Sequence, residues 1–203
     1  MKRILLSISI LAGTSWAQIG ADSLIRVAGE QDRAGKYEDA VMTYALAAAM
    51  LKNEGRTDEA LAVVPVLKEL SQRAEKAGDY GSAASAQGTV AKILRNAGRA
   101  DEALAVVQVL KELAQRAENA GDNGSAGTAY GIGGDILLEA GKTGEAAALY
   151  RKSGESYEKA GSYHLASYAY TDAADILEKA GETAQADELY RKAGEMRNKA
   201  GGN

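Results

Sequence analysis

Cysteine and phenylalanine are absent from the 203 residues, and proline, tryptophan and histidine occur once each. Without cysteine there is no disulfide, no zinc–thiolate site, no lipidated cysteine and no thiol nucleophile. The one histidine, His164, has no partner pattern around it and reads as a surface residue. Net charge is −4, so the chain lacks the positive field that non-specific nucleic-acid binding requires. Large aromatics other than tyrosine are scarce while alanine and glycine abound, so a core has to be built from small side chains at close approach. That composition favours helices packed in a regular array.

At the N-terminus, Lys2 and Arg3 precede an apolar stretch from Ile4 to Gly13, and Ser15-Trp16-Ala17 forms a small-x-small cleavage site. This is the pattern of an export signal over 1–17, which leaves 18–203 as the mature chain with net charge −6. The stretch is too short to span a bilayer. The location this implies is periplasmic or secreted, with no stable membrane span in the mature form.

The remainder is periodic. Glycines at 35, 55, 78, 98, 121, 141, 161, 181 and 201 punctuate the chain, one helix and one turn apart. The segment Arg56 to Gly98 matches Arg99 to Gly141 at about two-thirds of its positions, an internal duplication. Between glycines, apolar and small residues recur at helical spacing, as in Ala60, Val64, Leu67, Leu70 and Ala74, with no strand-like alternation. The pattern predicts nine helices over 22–34, 37–53, 57–76, 80–96, 100–119, 124–139, 143–159, 163–179 and 183–199. Thr57, Thr143 and Thr183 are placed to cap helix starts, and the acids Asp58, Glu59, Asp101, Glu102 and Glu145 suit first turns. Pro65 should kink the third helix, and Gly127, Gly131, Gly133 and Gly134 in the sixth suggest close packing, since they fit no phosphate-binding fingerprint. Short connections make neighbours antiparallel, so the unit is a helical hairpin.

Helices seven and eight carry a more specific pattern: Tyr150, Gly154, Tyr157, Gly161, Tyr163, Ala166, Tyr170 and Ala173. This spacing resembles the tetratricopeptide repeat family, and the likeness extends in weaker form over the mature chain. It implies an all-α, right-handed α-solenoid of about four and a half antiparallel hairpins, with 183–199 as a C-terminal capping helix. The family unit is usually near ~34 residues and often closes with proline. This chain has longer helices that end in glycine, similar to soluble attachment-protein arrays.

The resemblance also implies that the first helix of each hairpin lines the inner surface. Lys68, Lys111, Arg151 and Arg191 then form a basic ladder across four units, with Gln72, Gln115, Glu155 and Glu195 aligned one turn on. Repeated cations in a groove favour an anionic ligand. Some family members clamp a peptide carboxylate with lysine and asparagine in such positions, whereas here glutamine or glutamate stands where asparagine would help. The same residues support a plainer reading, because Arg151 with Glu155 and Arg191 with Glu195 are i,i+4 pairs that stabilise an exposed helix by about 0.2–0.5 kcal/mol. No nucleophile with a base, metal-ligand cluster or cofactor fingerprint occurs, so no enzymatic activity, metal or cofactor is expected. The expected function is an exported scaffold that binds a protein or peptide segment, with anionic groups, in its concave groove. A structural envelope module that self-associates is the alternative.

Overall fold

The computed structural model describes residues 20–201 of the protein. The export signal read at 1–17 lies outside them. Nine helices fill the described residues: α1 (Ala21–Arg33), α2 (Tyr37–Asn53), α3 (Thr57–Lys76), α4 (Tyr80–Asn96), α5 (Ala100–Asn119), α6 (Asn123–Glu139), α7 (Thr143–Lys159), α8 (Tyr163–Lys179) and α9 (Thr183–Gly201). The expected boundaries hold within one residue, except that α9 continues through Gly201 instead of stopping at 199. Successive helices pack antiparallel as hairpins, and the hairpins stack into one array.

One turn is used throughout. After α3, Gly78 adopts φ 81°, its N–H bonds the Glu75 carbonyl at 2.9 Å, and the N–H of Asp79 bonds the Ala74 carbonyl at 2.9 Å. This closure satisfies carbonyls that the helix end would otherwise orphan, and the left-handed φ makes glycine the natural residue there. Gly35, Gly55, Gly98, Gly121, Gly141, Gly161 and Gly181 repeat it. The residue after each glycine therefore does two jobs, since it closes one helix and is the N-cap of the next.

That double role displaces the expected threonine caps. Thr57 and Thr143 sit one position inside their helices, behind N-caps Arg56 and Lys142, and neither helix has a side-chain cap bond. The capping side chains are instead Asp79 and Asp122, which accept from the backbone N–H groups of Ser82 and Ser125 at 2.9 and 3.0 Å. On odd-numbered helices the first-turn acid reaches back to the N-cap side chain: Glu59 pairs with Arg56, Glu102 with Arg99 and Glu145 with Lys142. Helix α3 runs unbroken through Pro65, whose side chain is exposed.

The two layers of the array are spaced differently. Among the described residues, α2 packs directly on α4 and α4 on α6, while α1, α3 and α5 show no comparable contact with one another. Small residues permit this on the even side: a Cβ on Gly88 would lie 2.9 Å from Ile132 Cγ2, and one on Gly81 would lie 3.2 Å from Ser125 Oγ. An array bends toward its more closely spaced layer, so α2, α4 and α6 form the inner side over this stretch. Over α1 to α6 this differs from the expectation that the first helix of each hairpin lines the inner surface.

Both within and between hairpins, glycine on one helix opposes tyrosine on the next. A Cβ on Gly127 would meet the Tyr157 ring at 2.8 Å, and one on Gly154 would meet the Tyr170 ring at 2.7 Å. Gly133 and Gly134 similarly receive Leu149 and the Tyr150 ring. The expected close packing of α6 is thus present, and its partners are on α7.

Gly127→Ala and Gly154→Ala should each destabilise by about 1–3 kcal/mol through overpacking. Gly194→Ala, where a Cβ meets nothing within 4 Å in mid-helix, should stabilise by about 1 kcal/mol. Urea unfolding followed by circular dichroism reads both signs, and equal effects at the three sites would refute the packing argument.

Candidate functional site

The expected ladder lies on the odd-numbered helices, in the more widely spaced layer. Lys68, Gln72, Lys111, Gln115, Arg151, Arg191 and Glu195 are exposed and Glu155 is half-buried. Arg151 pairs with Glu155 at 3.8 Å and Arg191 pairs with Glu195, each along its own helix. Two of the four cations are therefore compensated locally. Lys68 lies near Glu102 of α5, whose carboxyl is held low first by its Arg99 hydrogen bond and to a smaller degree by Lys68. Arg151 and Glu155 line a cleft of about 230 Å³ between α7 and α9, but its α9 wall carries Glu188 and Lys192, not Arg191 or Glu195. Arg151 and Arg191 are thus answered along their own helices, while Lys68 and Lys111 have no salt-bridge partner among the described residues.

Acids two turns along the same helices are engaged between repeats. Arg73 of α3 bonds Asp32 of α1 through both carboxylate oxygens, at 3.1 and 2.5 Å. Arg116 of α5 pairs with Glu75 of α3 at 2.9 Å, Ser156 of α7 donates to Glu118 of α5 at 3.1 Å, and Lys199 of α9 donates to Glu158 of α7 at 3.1 Å. Long polar side chains bridge the odd layer at one end. The acids also hold the hairpins, because Tyr130 donates to Glu118 at 3.3 Å and Tyr170 to Glu158 at 3.1 Å.

The even face offers a different surface. A cleft of about 510 Å³ runs over α4 between α2, α5 and α6, with Gly88, Ala91, Leu104, Ile132 and Ile136 among its walls. Its rim carries Lys92, Asp135 and the ion pair of Arg95 with Glu139. Beside it, α2 exposes Met42 and Leu46 at 41% and 47%. On α8, at the other end of the face, Tyr168 is 67% exposed. Apolar wall, charged rim and solvent-facing large side chains are the ingredients of a protein-binding surface. Among the described residues no group of three or more His, Asp or Glu is arranged to hold a metal ion.

The even face escapes sequence reading because the resemblance assigns the inner surface to the other layer. The signal that could have found it is the small-residue register Ala45, Gly88 and Gly131 at equivalent positions of α2, α4 and α6. The inter-repeat bonds have a signal too: acid and ring recur at one fixed spacing in Asp32 and Tyr44, Glu118 and Tyr130, Glu158 and Tyr170.

No protein-family model matches the sequence, and no curated protein matches it. Among solved structures the chain is similar to the DHF58 filament, at 20% identity over 98% of this chain and 96% of that chain, with a TM-score of 0.44. It is similar to BtubC (BKLC) from P. vanneervenii at 14% identity over 94% of each chain, TM-score 0.38. It is also similar to the TPR2AB-domain:pHSP90 complex of yeast Sti1, at 13% identity over 86% of this chain and 98% of that chain, TM-score 0.25. None reaches a TM-score of 0.5, and the class rests on the hairpins themselves: this is an all-helical hairpin-repeat protein.

Asp32→Asn removes the charge from a nearly buried acid and should cost about 1–3 kcal/mol. In a stacked array the loss should be local. Hydrogen exchange should accelerate in α1 to α3 and leave α7 to α9 unchanged, and a uniform acceleration would contradict the nearest-neighbour picture. Burial first, then the accepting carboxylate, pushes the hydroxyls of Tyr150 and Tyr170 well above the ordinary tyrosine range. A raised folded value means the folded state holds these protons longer than the unfolded state. Their contribution is therefore complete below the unfolded value of about 10 and is lost as pH rises beyond it. An alkaline titration should show the last tyrosinate absorbance appearing together with loss of helical signal.

Proposed function

We propose that the protein is an interaction scaffold of the tetratricopeptide kind, with hairpin units of about 40 residues, that holds a segment of another protein on its even face. The observation that carries this reading is the apolar cleft over α4, flanked by the exposed Met42 and Leu46. A monomeric protein rarely leaves neighbouring large apolar groups in water beside a concave apolar wall without a partner to cover them. The tyrosine, glycine and alanine pattern of α7 and α8 supports the family reading, and the pattern over 1–17 supports export to a periplasmic or extracellular site. No helix among the described residues is long and apolar enough to cross a membrane.

The outer side of α9 is polar, with Arg191, Glu195 and Arg197 exposed. A charged terminal face suits a cap better than a surface for end-to-end stacking.

A photo-reactive residue in place of Thr89 on the even face, compared with one in place of Lys111 on the odd face, tests the placement in the producing cell. Discrete adducts should form from position 89 and not from position 111. Adducts from position 111 alone would move the binding surface to the ladder, and adducts from neither would sink the scaffold reading.

A further inference from the structure

The even face combines two properties that together specify the chemistry of its occupant. At the α2 end it is apolar, with Met42 and Leu46 in solvent next to the cleft walls of Leu104 and Ile132. At the α8 end it is acidic. Asp135 and Asp175 accept from the hydroxyls of Tyr150 and Tyr190 at 2.5 and 2.7 Å, which are neutral donors and leave both charges in place. Asp172, between them, has no cation within salt-bridge distance among the described residues, and neither does either neighbour. Burial, then Asp175 and Asp135, push the Asp172 carboxyl above its ordinary value. Like charges held together without a counter-charge raise the free energy of the unbound face, and a cation arriving from outside relieves that repulsion. Tyr168, one turn before Asp172 on α8, offers an exposed ring to the same cation.

The backbone narrows the occupant further. Every main-chain group on this face lies inside a helix, so no strand edge is available for an extended peptide to pair with. A segment covering the face has to satisfy its own backbone, and a helix does so.

Resting on the scaffold reading above, we propose that the even face receives a cationic amphipathic helix of a partner protein. Its apolar side fills the cleft over α4, and its lysine or arginine residues meet the carboxylates of α6 and α8. This is the opposite charge from the anionic ligand that the basic ladder suggests.

The test uses the mature chain and three fluorescent probes: a helical Leu/Lys peptide, its Leu/Glu counterpart of equal apolar content, and a Leu/Lys peptide scrambled to destroy the helical period. Anisotropy at low salt should rank the helical Leu/Lys peptide first, with roughly tenfold weaker binding of the Leu/Glu peptide, the sum of two or three exposed ion pairs, and weaker binding of the scrambled peptide, which has no single apolar side. Asp172→Lys should weaken the Leu/Lys peptide several-fold and strengthen the Leu/Glu peptide. Ile132→Glu should weaken both helical peptides, and far-ultraviolet circular dichroism checks that each variant keeps its helices. Binding of the Leu/Glu peptide equal to or tighter than the Leu/Lys peptide overturns the cationic assignment, as does a Leu/Lys affinity untouched by Asp172→Lys. If either happens while position 89 still forms discrete adducts, the scaffold reading stands and only the partner's charge is wrong. If no probe binds, the cationic helix is refuted, and the adducts at position 89 decide the scaffold reading independently.

Discussion

Helices α4 and α6 meet with almost nothing between them, because Gly88 presents only hydrogen where Ile132 arrives. On the opposite layer the helices are joined by some of the longest side chains available, Arg73 to Asp32 and Arg116 to Glu75. Over α1 to α6 the contrast sets the direction of curvature. Short spacers on one side and long ones on the other leave a stack of parallel hairpins only one way to bend. The cleft over α4, its apolar walls and the exposed residues of α2 all follow from that bend.

Glycine in a helix costs roughly 1 kcal/mol against alanine, and α6 carries four in its interior. The compensation is visible opposite them. Tyr157 lies on Gly127, Tyr150 on Gly134 and Leu149 on Gly133, so large side chains bury area that a Cβ would deny them. Ser153 adds a buried hydrogen bond to the Gly127 carbonyl at 2.7 Å. With no phenylalanine in the chain, each of these rings carries a hydroxyl that needs a partner: Asp135 accepts from Tyr150, and the Thr128 hydroxyl lies 3.0 Å from that of Tyr157.

The helices and turns were legible because their signals are local. Each of α1 to α8 is followed by a glycine whose left-handed conformation is decided within five residues, and the interiors keep helical spacing. The caps were misread by one position because a residue that closes one helix while opening the next is not an option in a helix-by-helix reading. The inner face was not legible for a different reason. Which layer packs closer depends on Gly88 meeting Ile132 across a whole repeat, and neither residue's neighbours in sequence announce it. The ladder residues are visible as a pattern, but Arg151 and Arg191 are answered along their own helices by Glu155 and Glu195.

The duplicated segments show the same constraint acting on sequence. Arg56 to Gly98 and Arg99 to Gly141 agree closely through α3 and α5 and diverge mainly in α4 and α6. Where α6 has Gly127, Gly133 and Gly134, α4 has Ala84, Val90 and Ala91. The helix that follows differs in the reverse sense: α7 carries Tyr157, Leu149 and Tyr150 where α5 carries Ala117, Val109 and Leu110. The glycines that receive Tyr157, Leu149 and Tyr150 thus occur only in the copy whose next helix carries those large side chains, so a close-packed interface makes the two helices differ together.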